Sequence, residues 1–385
     1  MNMLALSLLL FSFFIAICAS FQQKPQFNSF LKRYDSAQTS TNRIFPKSNL
    51  SAASSTPNFD SNLSTSADTS NQKRFKISTK TYEYDGWTLS YKHKEWDPNY
   101  SIEHKEIPPS LLLIHPVGIG LSNWFWDRVF DLWEGEVYAP NLIGCARDGL
   151  GDTWDPKTRG LFLPLDWARS CETLIREEII EKNIEKEQKR CIVVTQGGLA
   201  PVGVVLAHRD AAQKIDNIQG LVLTSPPTWK DMIGFVPQDE LEKNYKFLSS
   251  PILGDLAFRI LEMRGAIQFF SDLFLFQDKC DEEWLNKATF DSTDNNAVTS
   301  KLLRPPVMSF NAGMLNARSF MQEMIEISQP TLILSGEGDK RAKDRIGYAQ
   351  EMKKCTLESL TGCNVVPWEN PSGVCEAILS FSKRI

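Results

Sequence analysis

Histidine is almost missing from this chain. Only His93, His104, His115 and His208 occur among 385 residues, and none follows position 208. Chemistry that draws a general base from the carboxyl-terminal third therefore has no imidazole to use. Cysteine is also scarce. Of eight, Cys18 falls in the first apolar run, and the other seven, an odd number, show no paired spacing. Neither a disulfide framework nor a Cys/His zinc site is indicated, and buried thiols are expected. No metal and no cofactor is implied. Basic clusters are missing as well: the net charge is −5, and nothing in its distribution points to nucleic acid.

The amino-terminus has its own composition. Met1–Cys18 is an apolar run without a charge, ended by the small residues Cys18, Ala19 and Ser20. Residues 1–20 read as a signal peptide, with an uncleaved membrane anchor as the alternative. Residues 21–74 hold 16 Ser or Thr, seven Lys or Arg, three Asp and no Glu. Such a segment cannot offset its ordering entropy and is expected to be disordered, and its bias is that of an organelle transit peptide. The Ala19-Ser20-Phe21 junction resembles the Ala-Ser-Ala-Phe boundary of bipartite presequences in algae with secondary plastids, such as diatoms. A plastid location is expected. The alternative is a secreted protein with a stalk, where Asn49-Leu-Ser and Asn62-Leu-Ser would suit glycosylation. The leader carries +4, leaving −9 on the rest. No stable membrane span is expected after processing.

From Phe75 the pattern predicts strands at Phe75–Tyr84, Trp87–Lys94, Ser110–His115, Glu136–Ala139, Cys191–Thr195, Gly220–Thr224, Thr331–Ser335 and Cys355–Leu360. Asp85-Gly86 is a favoured two-residue hairpin turn. The short, wholly apolar runs suit buried parallel strands. Helices are expected at Asp166–Lys189 and Ser372–Lys383, capped by Asp166 and Ser372. Glu177–Lys189, alternating in charge, reads as a solvated face. Alternating strands and helices indicate a doubly wound α/β sheet. About 229–329 breaks the alternation with helices alone, among them Phe258–Phe276 and Asp281–Ala288. This stretch reads as a cap over the strands' carboxyl edge, where open α/β sheets bind ligands.

Five motifs in order carry a resemblance. His115-Pro-Val-Gly-Ile-Gly-Leu-Ser-Asn-Trp124 looks like a His-Gly oxyanion loop. Asn141-Leu-Ile-Gly-Cys-Ala-Arg-Asp148 resembles an Asp-Leu-x-Gly-x-Gly loop, with Asn141 for Asp and Ala146 for the second Gly. Val193-Val-Thr-Gln-Gly-Gly198 is similar to a nucleophile elbow. Pro330-Thr-Leu-Ile-Leu-Ser-Gly-Glu-Gly-Asp339 looks like an acid loop. Gly362-Cys-Asn-Val-Val-Pro-Trp-Glu369 resembles a Gly-x-Gly-His-x-Pro-x-x-Glu segment. Together they resemble the α/β-hydrolase fold over residues 75–385, implying a mostly parallel eight-stranded sheet with a helical cap.

The resemblance puts Gly197 at the nucleophile position, Asp339 at the acid and Val365 at the base. Glycine offers no nucleophile and valine takes no proton. Loss of a nucleophile or base costs on the order of a million-fold in turnover in one measured protease. The family's carboxylate-nucleophile variants also fail at position 197. The Val117 and Gly198 amides are expected to persist as oxyanion-type donors, and His115, Trp124, Gln196, Ser225 and Trp368 are pocket candidates. Among these, His115 reads as structural, and Trp124, Phe125 and Trp126 chiefly as packing. His208 reads as a surface residue, and Glu337 and Glu369 as loop-bonding groups. A valine for histidine is similar to the gibberellin receptors, which bind a small ligand without cleaving it. The Gln-Gly elbow and Gly-Cys-Asn-Val-x-Pro-Trp-Glu ending also look like those of hydrolase-like proteins of photosynthetic lineages.

Three functions follow. The first is a catalytically silent protein binding a small, mainly apolar ligand under the cap. The second is a non-standard hydrolase or lyase acting on lipid or pigment esters, with Asp339 or Glu369 as base. The third is a scaffold with a protein partner on the cap.

Overall fold

The computed structural model describes residues 75–96, 108–159, 164–183, 190–289, 301–311 and 318–385, all within the compact unit Gln72–Ile385. The readings made on 1–20 and 21–74 lie outside the described residues. Eight strands form one sheet: β1 Phe75–Tyr84, β2 Trp87–Trp96, β3 Ser110–Ile114, β4 Val137–Pro140, β5 Cys191–Gln196, β6 Ile218–Thr224, β7 Thr331–Gly336 and β8 Cys355–Leu360. Their order is β1-β2-β4-β3-β5-β6-β7-β8. β2 runs antiparallel to β1 and β4, and every other pairing is parallel. The β1–β2 turn has φ +46° at Asp85 and +73° at Gly86, the two left-handed steps its sequence predicts.

Helices cover both faces, and the alternation of side chains along the strands decides which residues meet which helix. Leu111 and Leu113 of β3, Ile192 and Val194 of β5, and Leu332 and Leu334 of β7 form one core cluster. It includes Val129 and Phe130 of α1 (Asp127–Leu132) and Val374, Ile378 and Phe381 of a later helix, Pro371–Ser382. On the other face Thr195 and Leu221 meet α3 (Ala200–Gln213), where a Cβ at Gly203 would strike both side chains. Beside α3 packs α2 (Pro164–Leu174).

Three local readings change. α2 opens at Pro164, where a fixed φ and a missing N–H cost nothing, so Asp166 lies inside the first turn and accepts from Tyr84 Oη at 3.3 Å. The last long helix opens at Pro371, and its cap is Asn370, which accepts from the Gly373 N–H at 3.0 Å, in place of Ser372. Past α2 the chain widens into a π-helical stretch, Ile175–Ile180, where Glu178 is buried, bonded to Tyr91 Oη and paired with Lys182 at 2.6 Å. That position is no solvated face.

Between β6 and β7 the described residues form helices only. The longer ones are α4 Gln238–Leu248, α5 Leu253–Leu261, α6 Arg264–Phe274, α7 Glu282–Ala288 and α8 Arg304–Asn311. The apolar run 258–276 is therefore two helices, broken at Met263, whose extended ψ of 136° interrupts the helical path. Asp281 caps α7 by accepting from the Trp284 N–H at 2.7 Å. Among the described residues no helix is long and apolar enough to cross a membrane.

Candidate functional site

Parallel strands bring all their carboxyl ends to one edge, and the site is built there. β5 is buried throughout and stops at Gln196. Gly197 then takes φ +58°, a left-handed conformation that costs a residue with a side chain roughly 1–2 kcal/mol. One 3-10 turn, Gly197–Leu199, leads into α3, with proline in its first turn. A Cβ placed on Gly197 meets no atom within 4 Å. The tip of the turn therefore faces open space. Ile114 of β3 pairs with Thr195 of β5, and Val117 and Gly198 each lie three residues past this pair, in the segments that follow the two neighbouring strands. Both are half-buried.

The pocket candidates are all buried, and their polar atoms point to partners within the fold. His115 donates from Nδ1 to the Pro116 carbonyl at 2.8 Å and accepts the Leu142 N–H on Nε2 at 3.1 Å. Both bonds suit a neutral ring, and burial pushes its pKa down to about 4. Gln196 accepts from Thr224 Oγ1 at 2.6 Å and donates to the Asn364 carbonyl at 2.8 Å, tying the elbow to the residue before Val365. Ser225 stands one residue past β6 with φ +43°, its hydroxyl 3.5 Å from the Cys363 carbonyl. Trp124 donates to the Gly120 carbonyl at 2.9 Å and Trp368 to Asp281 at 3.1 Å. Their rings pack edge-on, 5.3 Å apart. His208 is remote, on α3, bonded to Glu326 at 2.9 Å.

Asp339 and Val365 sit in loops that touch. The Gly338 N–H donates to the Gly362 carbonyl at 2.9 Å. A Cβ on Gly336 would fall inside the Cys363 carbonyl, so only glycine permits that approach. Asp339 Oδ1 takes the Arg341 N–H at 2.9 Å, and Oδ2 faces Arg345 Nη1 at 2.7 Å. The Arg345 side chain is only 2% exposed and donates onward to the Pro226 carbonyl at 2.6 Å and Ser335 Oγ at 3.2 Å. Val365 is buried in the apolar cluster with Phe276 and Trp284.

The sequence matches no protein-family model and no curated protein. Solved structures do match in shape. An epoxide hydrolase superposes with TM-score 0.53 and 14% identity, covering 80% of this chain and 98% of its own. A thioesterase domain from the curacin biosynthetic pathway gives 0.52 and 16%, over 79% and 99%. A point mutant of a haloalkane dehalogenase from Agrobacterium tumefaciens gives 0.51 and 12%, over 80% and 97%. The chain has the α/β-hydrolase fold. At such identity the likeness establishes the fold and no activity.

In this α/β-hydrolase fold the helical insert is fastened to the site loops by Glu369, which was expected to bond loops, and by residues that sequence reasoning missed. The Leu275 carbonyl accepts the Asn364 and Val365 N–H groups at 2.9 and 3.2 Å. The Gly362 N–H donates to Gln277 Oε1 at 3.1 Å. Glu369 takes the Gln277 and Cys363 N–H groups, each at 2.7 Å. Gly120 lies against Ala288 at the end of α7, so close that a Cβ would overlap its carbonyl. Arg147 bridges the Gly120 and Lys287 carbonyls. Trp284 of α7 completes an edge-on trio with Trp124 and Trp368 at 5.2 and 5.4 Å. No spacing in the sequence links Arg345, Gln277 or Trp284 to these loops. The aromatic in a capped short helix was the one available hint.

Proposed function

We propose that this α/β-hydrolase-fold protein lacks the nucleophile and the base and binds a small, mainly apolar ligand at the elbow, beneath the helical insert. One observation carries the reading. Gly197 keeps the left-handed backbone of a nucleophile turn while the volume its side chain would enter stays empty of protein atoms. The Val117 and Gly198 amides are assigned as donors to the ligand's polar end, beside the start of α3, where amides favour a carbonyl or an anion. The aromatic trio and Phe276 are buried in the core cluster and brace the loops around the elbow; they are not themselves exposed to a ligand.

The alternative of a different hydrolytic chemistry has less support. Asp339 is engaged by Arg345, and both carboxylate oxygens of Glu369 are taken by backbone N–H groups. Glu369 would have to give up both amides to act as a base, and Asp339 its charge pairing, although Asp339 Oδ2 is buried at ion-pair distance from Arg345 without accepting a hydrogen bond. We further propose that residues 1–74 direct the protein to a plastid, on their composition alone. A fusion of that segment to a fluorescent reporter that is exported to the medium would favour secretion.

Native mass spectrometry of the protein from its source tests the binding reading. A retained small molecule, lost in a Gly197→Trp variant that fills the space, is the expected result. Empty protein from every preparation, or esterase turnover by the wild type, would overturn it.

A further inference from the structure

The helical insert exposes apolar side chains that its own packing does not explain. α5 buries Gly254, Ala257 and Phe258 and leaves Leu253 and Ile260 exposed along the flank of that face. α6 buries Ile267 and Ser271 and presents Phe269 and Leu273 opposite them. Met263, at the joint between the two helices, is 61% exposed, and Ile252, just before α5, is 76% exposed. The other exposed large apolar residues include Ile77, Leu132, Leu150 and Ile215, which are scattered singly over the described chain. Single ones need no explanation, whereas clustered ones mark an interaction surface.

Three features select the occupant. First, these side chains carry no hydrogen-bonding group, and the arginines flanking them are already paired: Arg259 with Asp255 at 2.7 Å, Arg264 with Glu282 at 2.5 Å. A protein partner would call for a fuller polar rim than the one exposed amide beside Phe269, Gln268, provides. Second, residues 229–289 hold eleven acidic against seven basic side chains, which disfavours an anionic surface. Third, α6 ends next to Leu275, whose carbonyl holds the Asn364 and Val365 amides. The outward stripe and the site's loop are thus one helix apart.

We propose that the outer face of α5 and α6 docks on an uncharged lipid surface, from which the elbow site takes its ligand. The inference rests on the ligand being apolar, since such a molecule resides in lipid and not in water. Docking by α5 and α6 holds the carboxyl edge of the sheet close to that phase.

The test is flotation of the full-length processed protein with phosphatidylcholine vesicles, with and without added phosphatidylglycerol. The comparison is a triple variant, Met263→Ser, Phe269→Ser and Leu273→Ser. All three side chains are exposed, so circular dichroism and thermal unfolding should match the wild type. Wild type is expected to float with phosphatidylcholine, to resist high salt, and to bind no better when phosphatidylglycerol is added. The triple variant should bind at least about 100-fold more weakly, given the apolar area withdrawn. If the triple variant unfolds, Ile252→Ser alone should still weaken binding about tenfold. The proposal is overturned if wild type stays unbound, if a folded variant binds equally, or if the same substitutions instead abolish self-association or a defined protein complex. Ligand occupancy by native mass spectrometry, read in parallel, separates the two ideas. Vesicle binding by protein that never retains a ligand rejects the site reading and leaves the docking face intact.

Discussion

Replacing Asp339 by Asn tests what this carboxylate does. In a working triad the acid orients a histidine, and its loss removes activity while leaving the fold nearly untouched. Here its partner is Arg345, whose side chain is 2% exposed and holds the Pro226 carbonyl and Ser335 Oγ. Removing one member of a buried ion pair leaves an uncompensated charge and costs about 3–5 kcal/mol. The Asp339→Asn side chain would keep the bond to the Arg341 N–H but not the charge, so the lower end of that range applies. For a domain of this size the midpoint of thermal unfolding should fall by about 5–10 °C. Replacing Arg345 by Met as well should recover much of the loss, because the pair is then removed as a unit. Scanning calorimetry of the two single variants and the double supplies the cycle. An Asp339→Asn protein that melts with the wild type would refute the counterion role.

Other outcomes follow from the same geometry. His115 has its folded pKa lowered to about 4 against an unfolded value near 6.5. Its contribution is complete above pH 6.5 and is lost as pH falls toward 4, about 3 kcal/mol in all. Urea unfolding at stepped pH should show this slope, and His115→Gln should flatten it. Gly197→Ser places its Cβ in open space, so only the left-handed backbone is penalised, about 1–2 kcal/mol. The variant should fold and still fail to hydrolyse p-nitrophenyl esters. Gly336→Ala, pressed on the Cys363 carbonyl, should lose about 3 kcal/mol or more, and equal melting of the two variants would contradict the packing described. Glu369→Ala strands the Gln277 and Cys363 N–H groups and should raise their exchange rates selectively, as read by amide hydrogen exchange.

Strands were the most legible part of the chain because a buried parallel strand leaves an apolar run with little else to mimic it. Each lies within two residues of its expected bounds, and β1 and β8 match at both ends. Helix starts were less legible. Asp166 and Ser372 are good capping residues, yet Pro164 and Pro371 set the first turn upstream of each. The break at Met263 was marked only by the charged pair Glu262 and Arg264 and by Gly265, within a run whose apolar residues resume on either side. Glu178 sits in a charged stretch, and only Tyr91, 87 residues away, shows why it is buried. The site divides in the same way. The turn at Gly197 and the loops that hold Asp339 and Val365 lie where local motifs placed them. Arg345 and the Leu275–Gln277 strap depend on contacts between distant segments, which no local pattern encodes.

The three positions that the resemblance assigns to a triad differ physically from one another. At 197 the side chain is gone and the space stays open. At 365 the space is filled, with Val365 buried against the core and its amide bonded to the insert. At 339 a carboxylate is present and is paired with a buried arginine. Random decay of an unused site would leave the strained turn free to relax and the acid free to vanish. Instead Gly197 holds φ +58° between Gln196, clamped on both sides, and a regular helix. The double substitution Gly197→Ser with Val365→His should therefore yield no hydrolase: the introduced imidazole would meet packed apolar side chains, and Asp339 would stay with Arg345. Ester turnover by that double variant would mean that the arginine yields its partner readily, and the counterion argument would fall with it.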